Sequence, residues 1–216
     1  MEMPPQTPRP RLQALDLIEK ILLLALYAAF LIRMLSKIDF AHLLLGLALA
    51  LPLLAGEGLV LVFGLIRKKT EIISIRPRDW FLALTATCLP LLVAPEPQGQ
   101  GWLPAPIFVA CMLLALGFQI YSKIVLGRSF GLVAANRGLK LHGPYLWVRH
   151  PIYAGYLLMH LTYLLGNPTG RNLLIYVLFY CLQLPRIAAE ERLLVQNPQY
   201  REYLKTVKYR LIPGIY

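Results

Sequence analysis

The sequence predicts an all-α, polytopic transmembrane protein with five to six membrane helices, the last two forming a C-terminal helical hairpin. Three observations predict it. Of 216 residues, 57% are hydrophobic and 15% charged, and the mean hydropathy is +0.57; a soluble chain of this length cannot bury so much apolar surface. Several uncharged runs approach or exceed the roughly 20 residues that cross a hydrocarbon core. The net charge of +11 is carried in blocks between those runs, a membrane-topology pattern rather than the single basic face of a nucleic-acid binder.

The elements follow in order. Residues 1–13 are polar and Pro-rich and are expected to be flexible. They lack the short apolar core and small-residue cleavage site of a signal peptide, so the first span is expected to be retained. Spans are then predicted at Leu17 to Ile32, at Phe40 to Ile66 (interrupted by His42 and Glu57), at Trp80 to Pro95 and at Trp102 to Ser122. Two shorter runs, Ile152 to Leu165 and Leu173 to Leu184, flank Gly166-Asn167-Pro168-Thr169-Gly170. That turn signal makes them a tightly connected hairpin. Asn197-Pro198 reads as a helix cap and first position, opening a short amphipathic helix with Tyr200, Tyr203, Leu204 and Val207 on one side, suited to a lid or to lying on the membrane. The final KYRLIPGIY joins a basic cluster to an apolar, interface-seeking end. No repeat or second soluble domain is evident, so 1–216 reads as one membrane domain: N-terminal helices over 14–120, and a second region over 121–216.

Charge sets the topology. With the N-terminus cytoplasmic, Lys and Arg number three in residues 1–20, five in 67–79, five in 123–149 and six from Arg186 onward, nineteen of twenty-two on one side. Arg33, Lys37 and Arg171 fall on the other. Six crossings satisfy this positive-inside asymmetry and put both termini in the cytoplasm. Five remain if the short last pair does not fully span. Cys88, Cys111 and Cys181 all sit inside apolar runs without CxxC or His-rich spacing, the pattern of buried packing thiols rather than a disulfide framework, and no metal site is expected.

Candidate chemistry lies where polar groups meet the membrane. Glu57, in LAGEGLV, is an ionisable side chain far from both ends of its span, which points to a polar cavity or a partner; the plainer reading is close helix packing at Gly56 and Gly58. His160 and Gln183 lie at matching depth in the hairpin and are expected to pair across it as structural glue. Pro151 suits the first position of a helix. Arg149 and His150 therefore sit at a helix N-terminus, which favours an anion. The hairpin returns Glu190 and Glu191 to the same face. One pocket then presents cations opposite paired carboxylates, which suits a zwitterionic ligand, with Tyr145, Tyr153 or Trp147 to cover an aromatic ring. Taken singly, Glu190-Glu191-Arg192 reads as a solvated helix face, and Arg149 and His150 as groups snorkelling to lipid phosphate. Their convergence favours the pocket.

The order GPYLWVRHPIYAGYLL, then RIAAEERLL, then QYREYLKTVKYRLIPGIY resembles the isoprenylcysteine carboxyl methyltransferase family and its phospholipid methyltransferase relatives, over roughly residues 121 to 216. The resemblance implies a cytoplasmic pocket for S-adenosylmethionine, formed by Arg149, His150, Pro151, Tyr153 and Gly155 with Glu190 and Glu191, Tyr145 lying beside it. It implies methyl transfer to a lipidic or small hydrophobic acceptor: a prenylated cysteine carboxylate, a phospholipid amine or a thiol. Arg186 looks like the arginine near the reacting groups of carboxyl-methylating members, and Glu57 or one of the paired acids is placed to take a proton from an amine. The membrane implied is a bacterial inner membrane or the endoplasmic reticulum. Membrane sterol reductases, which bind NADPH, also resemble the RHPxYxG stretch and the YRxIPxIY tail; the paired acids stand where a dinucleotide phosphate prefers cations. A third reading is a non-catalytic membrane scaffold that retains the motif.

Overall fold

A computed structural model describes residues 9–35, 43–70, 72–93 and 101–216, with side chains described within 10–33 and from residue 53 onward. Residues 1–8, Lys37, Phe40, His42 and Pro95 lie outside the described residues.

Each predicted apolar run is a helix: α1 (Arg9–Leu35), α2 (Leu43–Ile66), α3 (Pro77–Cys88), α4 (Ala105–Leu126), α5 (Pro151–Gly166) and α6 (Gly170–Leu194), followed by the short α7 (Pro198–Thr206). Among the described residues, Ala105–Ser129 and Gly170–Leu194 are each long and apolar enough to cross a membrane. The helix α1 begins at Arg9, within the stretch expected to be flexible to residue 13; a proline in a first helical turn sacrifices no hydrogen bond, so Pro10 does not oppose this start. After α3 the chain tightens into a 3₁₀ turn at Leu89–Leu92 around Pro90. One departure from an all-α fold is a two-residue antiparallel ribbon, β1 (Ile72–Ile73) with β2 (Ala135–Asn136), registered Ile72 to Asn136.

Caps and turns fall where the residue types demand. Pro151 opens α5. The side chain of Thr169 caps α6 by accepting from the Asn172 amide at 3.1 Å, and Asn197 caps α7 by accepting from the Gln199 amide at 2.9 Å. At the far end of the hairpin the backbones close in: Trp102 N–H donates to Leu165 O at 2.8 Å, and a Cβ on Gly101 would lie 2.5 Å from Gly166 O.

The hairpin connection is short, yet its arms separate. The helix α5 packs against α4, while α6 packs against α3 and the ribbon. Gly155 makes the α4–α5 contact close, since a Cβ there would stand 3.0 Å from Gln119 Cβ. The tightly connected hairpin expected from the loop is present, but its two backbones stand apart and meet through side chains, as where His160 stacks on Tyr176 at 4.5 Å; loop length sets only the distance between two ends, whereas the apolar faces choose their partners. His160 accordingly meets Tyr180 rather than Gln183, its Nδ1 lying 3.2 Å from the Tyr180 hydroxyl. The cysteines are free, but Cys181 is exposed on α6 rather than buried.

The basic loops gather at one end. Glu19 on α1 takes Arg67 and Arg137 as partners, and Asp16 joins the same cluster. The ribbon ties residues 72–73 to 135–136 beside it. Arg171 lies at the opposite end, donating to Leu92 O at 2.9 Å.

Candidate functional site

A cavity of about 450 Å³ opens among α1 to α4, the hairpin arms α5 and α6, and α7, within the roughly 300 to 1,000 Å³ of small-molecule sites. At the basic end its wall carries Tyr145, Arg149, His150, Glu190, Tyr200 and Tyr203; deeper, it carries Tyr27, Glu57, Tyr156, Gln183 and Arg186 among apolar side chains. The cavity thus passes from a charged collar into an apolar interior.

The collar is built by α5 and α6 from opposite sides. His150 is the residue before Pro151, and its ring is buried between the two acids: Nε2 lies 3.2 Å from Glu191 Oε1, and Nδ1 lies 3.7 Å from Glu190 Oε2. Arg149 reaches Glu191 at 3.1 Å. Glu191 is also held by Arg210 of the C-terminal tail at 2.8 Å, so it faces three cationic or protonatable partners and is turned away from the cavity. Glu190 faces inward, accepting from the Tyr153 hydroxyl and lying 3.6 Å from Arg186 Nε. The anion expected at the start of α5 is thus supplied by the protein itself. Two carboxylates in so confined a space require these cations, because burying unpaired charge is costly.

The tail completes the collar. The amides of Arg149 and His150 donate to Tyr209 O and Arg210 O at 2.9 and 3.0 Å, and the Tyr203 hydroxyl donates to Tyr145 O at 2.5 Å. Of the two roles open to α7, the structure shows Tyr200 and Tyr203 turned into the cavity, as in a lid. Burial pushes the hydroxyls of Tyr145, Tyr200 and Tyr203 above the ordinary phenol range; they remain neutral hydrogen-bonding groups at physiological pH.

Deeper, Glu57 is paired. Its Oε1 accepts from Lys123 Nζ at 2.9 Å, and Nζ also donates to Gly56 O at 3.2 Å. Lys123, assigned by sequence to a cytoplasmic loop, is fully buried on α4 and sits 5.7 Å from the Tyr156 ring centroid. Its long apolar stem lets a helix end carry the charge inward. Arg186 donates to Leu132 O at 2.7 Å and stacks over the Tyr153 ring at 5.4 Å. Among the described residues, the buried Tyr200 OH, Arg149 Nε and Arg186 Nε find no hydrogen-bond partner. Groups of this kind, lining a cavity, are those a polar ligand would satisfy.

The structure therefore brings Tyr145, Arg149, His150, Tyr153, Glu190 and Arg186 to the cavity wall, with Glu57 in the same cavity, and leaves Pro151 and Glu191 just behind that wall. It does not bring Gly155, which faces Gln119 of α4 on the other side of α5; three or four residues per turn carry only some motif positions to one face. Trp147 also lies outside, exposed and stacked on Phe118 at 6.3 Å. Lys123, Tyr27, Tyr156 and Arg210 were not legible as site residues. Tyr153, Tyr156 and His160 do follow helical spacing, and in the structure their rings form a ladder of 6.4 and 6.0 Å steps along the cavity. Among the described residues no cluster of His, Cys, Asp and Glu is arranged to hold a metal ion.

The chain is 32% identical over 147 residues to the Delta(14)-sterol reductase TM7SF2 of Mus musculus, a match that takes in 58% of this chain and 34% of that protein. This chain thus spans about a third of the length of that relative. The model of the isoprenylcysteine carboxyl methyltransferase (ICMT) family matches residues 105–196. That segment runs from α4 through the Arg149-His150 turn and both arms of the hairpin to just beyond the paired acids, so the part of the chain that carries the collar is similar to the isoprenylcysteine carboxyl methyltransferase (ICMT) family.

Proposed function

We propose that this chain is an integral membrane methyltransferase that uses S-adenosylmethionine and methylates a lipidic or small hydrophobic acceptor, with its basic end in the cytoplasm. One observation carries the reading: a single cavity joins a polar collar of both charge signs to an apolar interior. A zwitterionic nucleoside fits the collar, and an oily acceptor fits the interior.

The residues suit the cofactor. Glu190 offers a carboxylate to an ammonium or sulfonium; Arg149 offers a guanidinium to a carboxylate and His150 an imidazole beside it; Tyr145, Tyr200 and Tyr203 offer hydroxyls and ring faces. The unpartnered Tyr200 hydroxyl and Arg149 Nε are free for such a ligand. When bound, S-adenosylmethionine supplies a methyl group already activated on sulfur. The protein's own work is then to hold the acceptor in line and to keep water out, which the lid formed by α7 and the tail supports. Arg186, facing the cavity beside Tyr153, would hold an acceptor carboxylate through its guanidinium. For an amine acceptor, Glu57 would receive the proton, with Lys123 compensating its charge.

The sterol reductase match favours a second reading, hydride transfer from NADPH. The inward carboxylate of Glu190 counts against a dinucleotide phosphate in the collar. Titrating the purified protein with S-adenosylmethionine and with NADPH separates the two: saturable binding of the first and none of the second is expected. Membranes or lipid extracts incubated with labelled methyl donor, then separated by lipid class, identify the acceptor. Binding of NADPH with no methyl transfer would replace this reading by the reductase one; binding of neither would favour a scaffold.

A further inference from the structure

One peptide unit links α1 to the reacting end of the cavity. The Leu132–Val133 peptide has its carbonyl on one side and the Val133 N–H on the other. The carbonyl accepts from Arg186 Nη2 at 2.7 Å, and the N–H donates to Glu19 Oε1 at 3.1 Å. The preceding amide, Leu132 N–H, donates to the same Glu19 oxygen. Glu19 is itself fully buried, its second oxygen gripped by Arg67 and Arg137. Residue 131 lacks a side chain where the loop passes these groups: a Cβ on Gly131 would stand 2.7 Å from Arg137 Nη1 and 3.2 Å from Glu19 Oε1.

We propose that Glu19 is a positioning residue for Arg186, acting through the Leu132–Val133 peptide. An anion bonded to a peptide N–H polarises the unit, making its carbonyl a stronger acceptor, and hydrogen bonds in a low-dielectric interior reinforce one another in this way. The carboxylate thus holds the guanidinium in its place on the cavity wall without touching the cavity itself. Arg186 needs such a hold, since its Nε has no hydrogen-bond partner and its nearest acid, Glu190, is at 3.6 Å. Glu19 lies on α1, outside the matched segment 105–196, so the arginine within the family region is set by a residue beyond it. The role of Arg186 in turnover rests on the methyltransferase reading; its positioning by Glu19 does not.

The test reads Arg186 directly. Purified full-length protein in nanodiscs is treated with phenylglyoxal, which modifies accessible guanidinium groups, and labelling of Arg186 is followed by peptide mass spectrometry. Glu19→Gln is expected to speed labelling at least fivefold, whereas Asp16→Asn, which alters the same charge cluster without touching the peptide, changes it less than twofold. If Glu19→Gln does not fold, Glu19→Asp is read in its place, with the same direction expected. Equal acceleration in the Asp16 variant, or none in the Glu19 variant, overturns the proposal. In parallel, Glu19→Gln is expected to lower methyl-transfer kcat at least tenfold in the wild-type background and less than twofold in an Arg186→Ala background. Multiplying effects in the double variant would overturn the proposal by showing that Glu19 acts independently of Arg186. Should the wild type transfer no methyl group while the labelling pattern holds, the activity reading falls and the positioning role stands.

Discussion

At the scale of single residues, the cavity is governed by buried charges that each need a partner. Removing one side of a buried pair strands the other, which typically destabilises by about 3 to 5 kcal/mol. Lys123→Met is therefore expected to destabilise the protein by about 3 kcal/mol, because it leaves the Glu57 carboxylate bare, whereas Glu57→Leu with Lys123→Met together should unfold near the wild-type midpoint. Denaturation of the micellar protein followed by circular dichroism checks both. Glu191→Gln should behave like the single Lys123 change, since Arg149, His150 and Arg210 all converge on that carboxylate. Arg186→Ala belongs to another class. It faces the cavity, so turnover should fall at least a hundredfold while the dissociation constant for S-adenosylmethionine moves less than threefold, as read by activity assay and calorimetry. Unchanged turnover with bound cofactor would remove Arg186 from the mechanism.

At the scale of elements, function follows from the separation of α5 from α6. Each arm has a better partner elsewhere: α5 lies against α4 at Gly155, and α6 against α3, where Arg192 meets Asp79. Enlarging residue 155 tests this directly. Gly155→Leu drives a side chain into Gln119 and should destabilise by about 1 to 3 kcal/mol, measured as a lowered unfolding midpoint. The lid is a second element with its own prediction. Arg210→Ala unties the tail from Glu191, so on the proposed methyltransferase reading dissociation of S-adenosylmethionine should quicken several-fold, measured by stopped-flow release, with the helical content unchanged. The helix boundaries and caps behind both elements were legible, because Pro151, Thr169, Asn197 and Pro198 act within one turn of chain. The packing partners of α5 and α6 were not, because a turn such as Asn167 to Thr169 dictates how helices connect and says nothing of which faces meet.

At the scale of the whole molecule, charge and hydropathy set the plan. The basic loops gather with the start of α1 at one end, where Asp16, Glu19, Arg67 and Arg137 form a buried network, and Arg171 marks the other. The positive-inside rule predicts, as part of the proposed function, that the basic end faces the cytoplasm. A protease-cleavable tag after Tyr216 should be cut in inside-out vesicles and protected in right-side-out ones; the reverse pattern would invert the topology and put the collar on the wrong side for a cytosolic methyl donor. The same network explains why the first three helices, which lie outside the matched segment 105–196, still matter: α1 fastens the loop that forms one wall of the cavity, and α2 contributes Glu57.

By itself the sequence determined the helical, membrane-type composition, the order of the apolar helices, the caps, and the meeting of Arg149 and His150 with Glu190 and Glu191. All of these depend on local hydrophobicity, turn chemistry and the direction in which a hairpin returns. Tertiary structure alone decided which groups face the cavity: it turned Glu190 in and Glu191 out, sent Gly155 to a helix contact, buried Lys123 beside Glu57, and joined Glu19 to Arg186 through a peptide. These outcomes depend on helix rotation and on contacts between residues on different helices, from 36 positions apart for Gln119 and Gly155 to 66 for Glu57 and Lys123, and neither is encoded in any short stretch of chain.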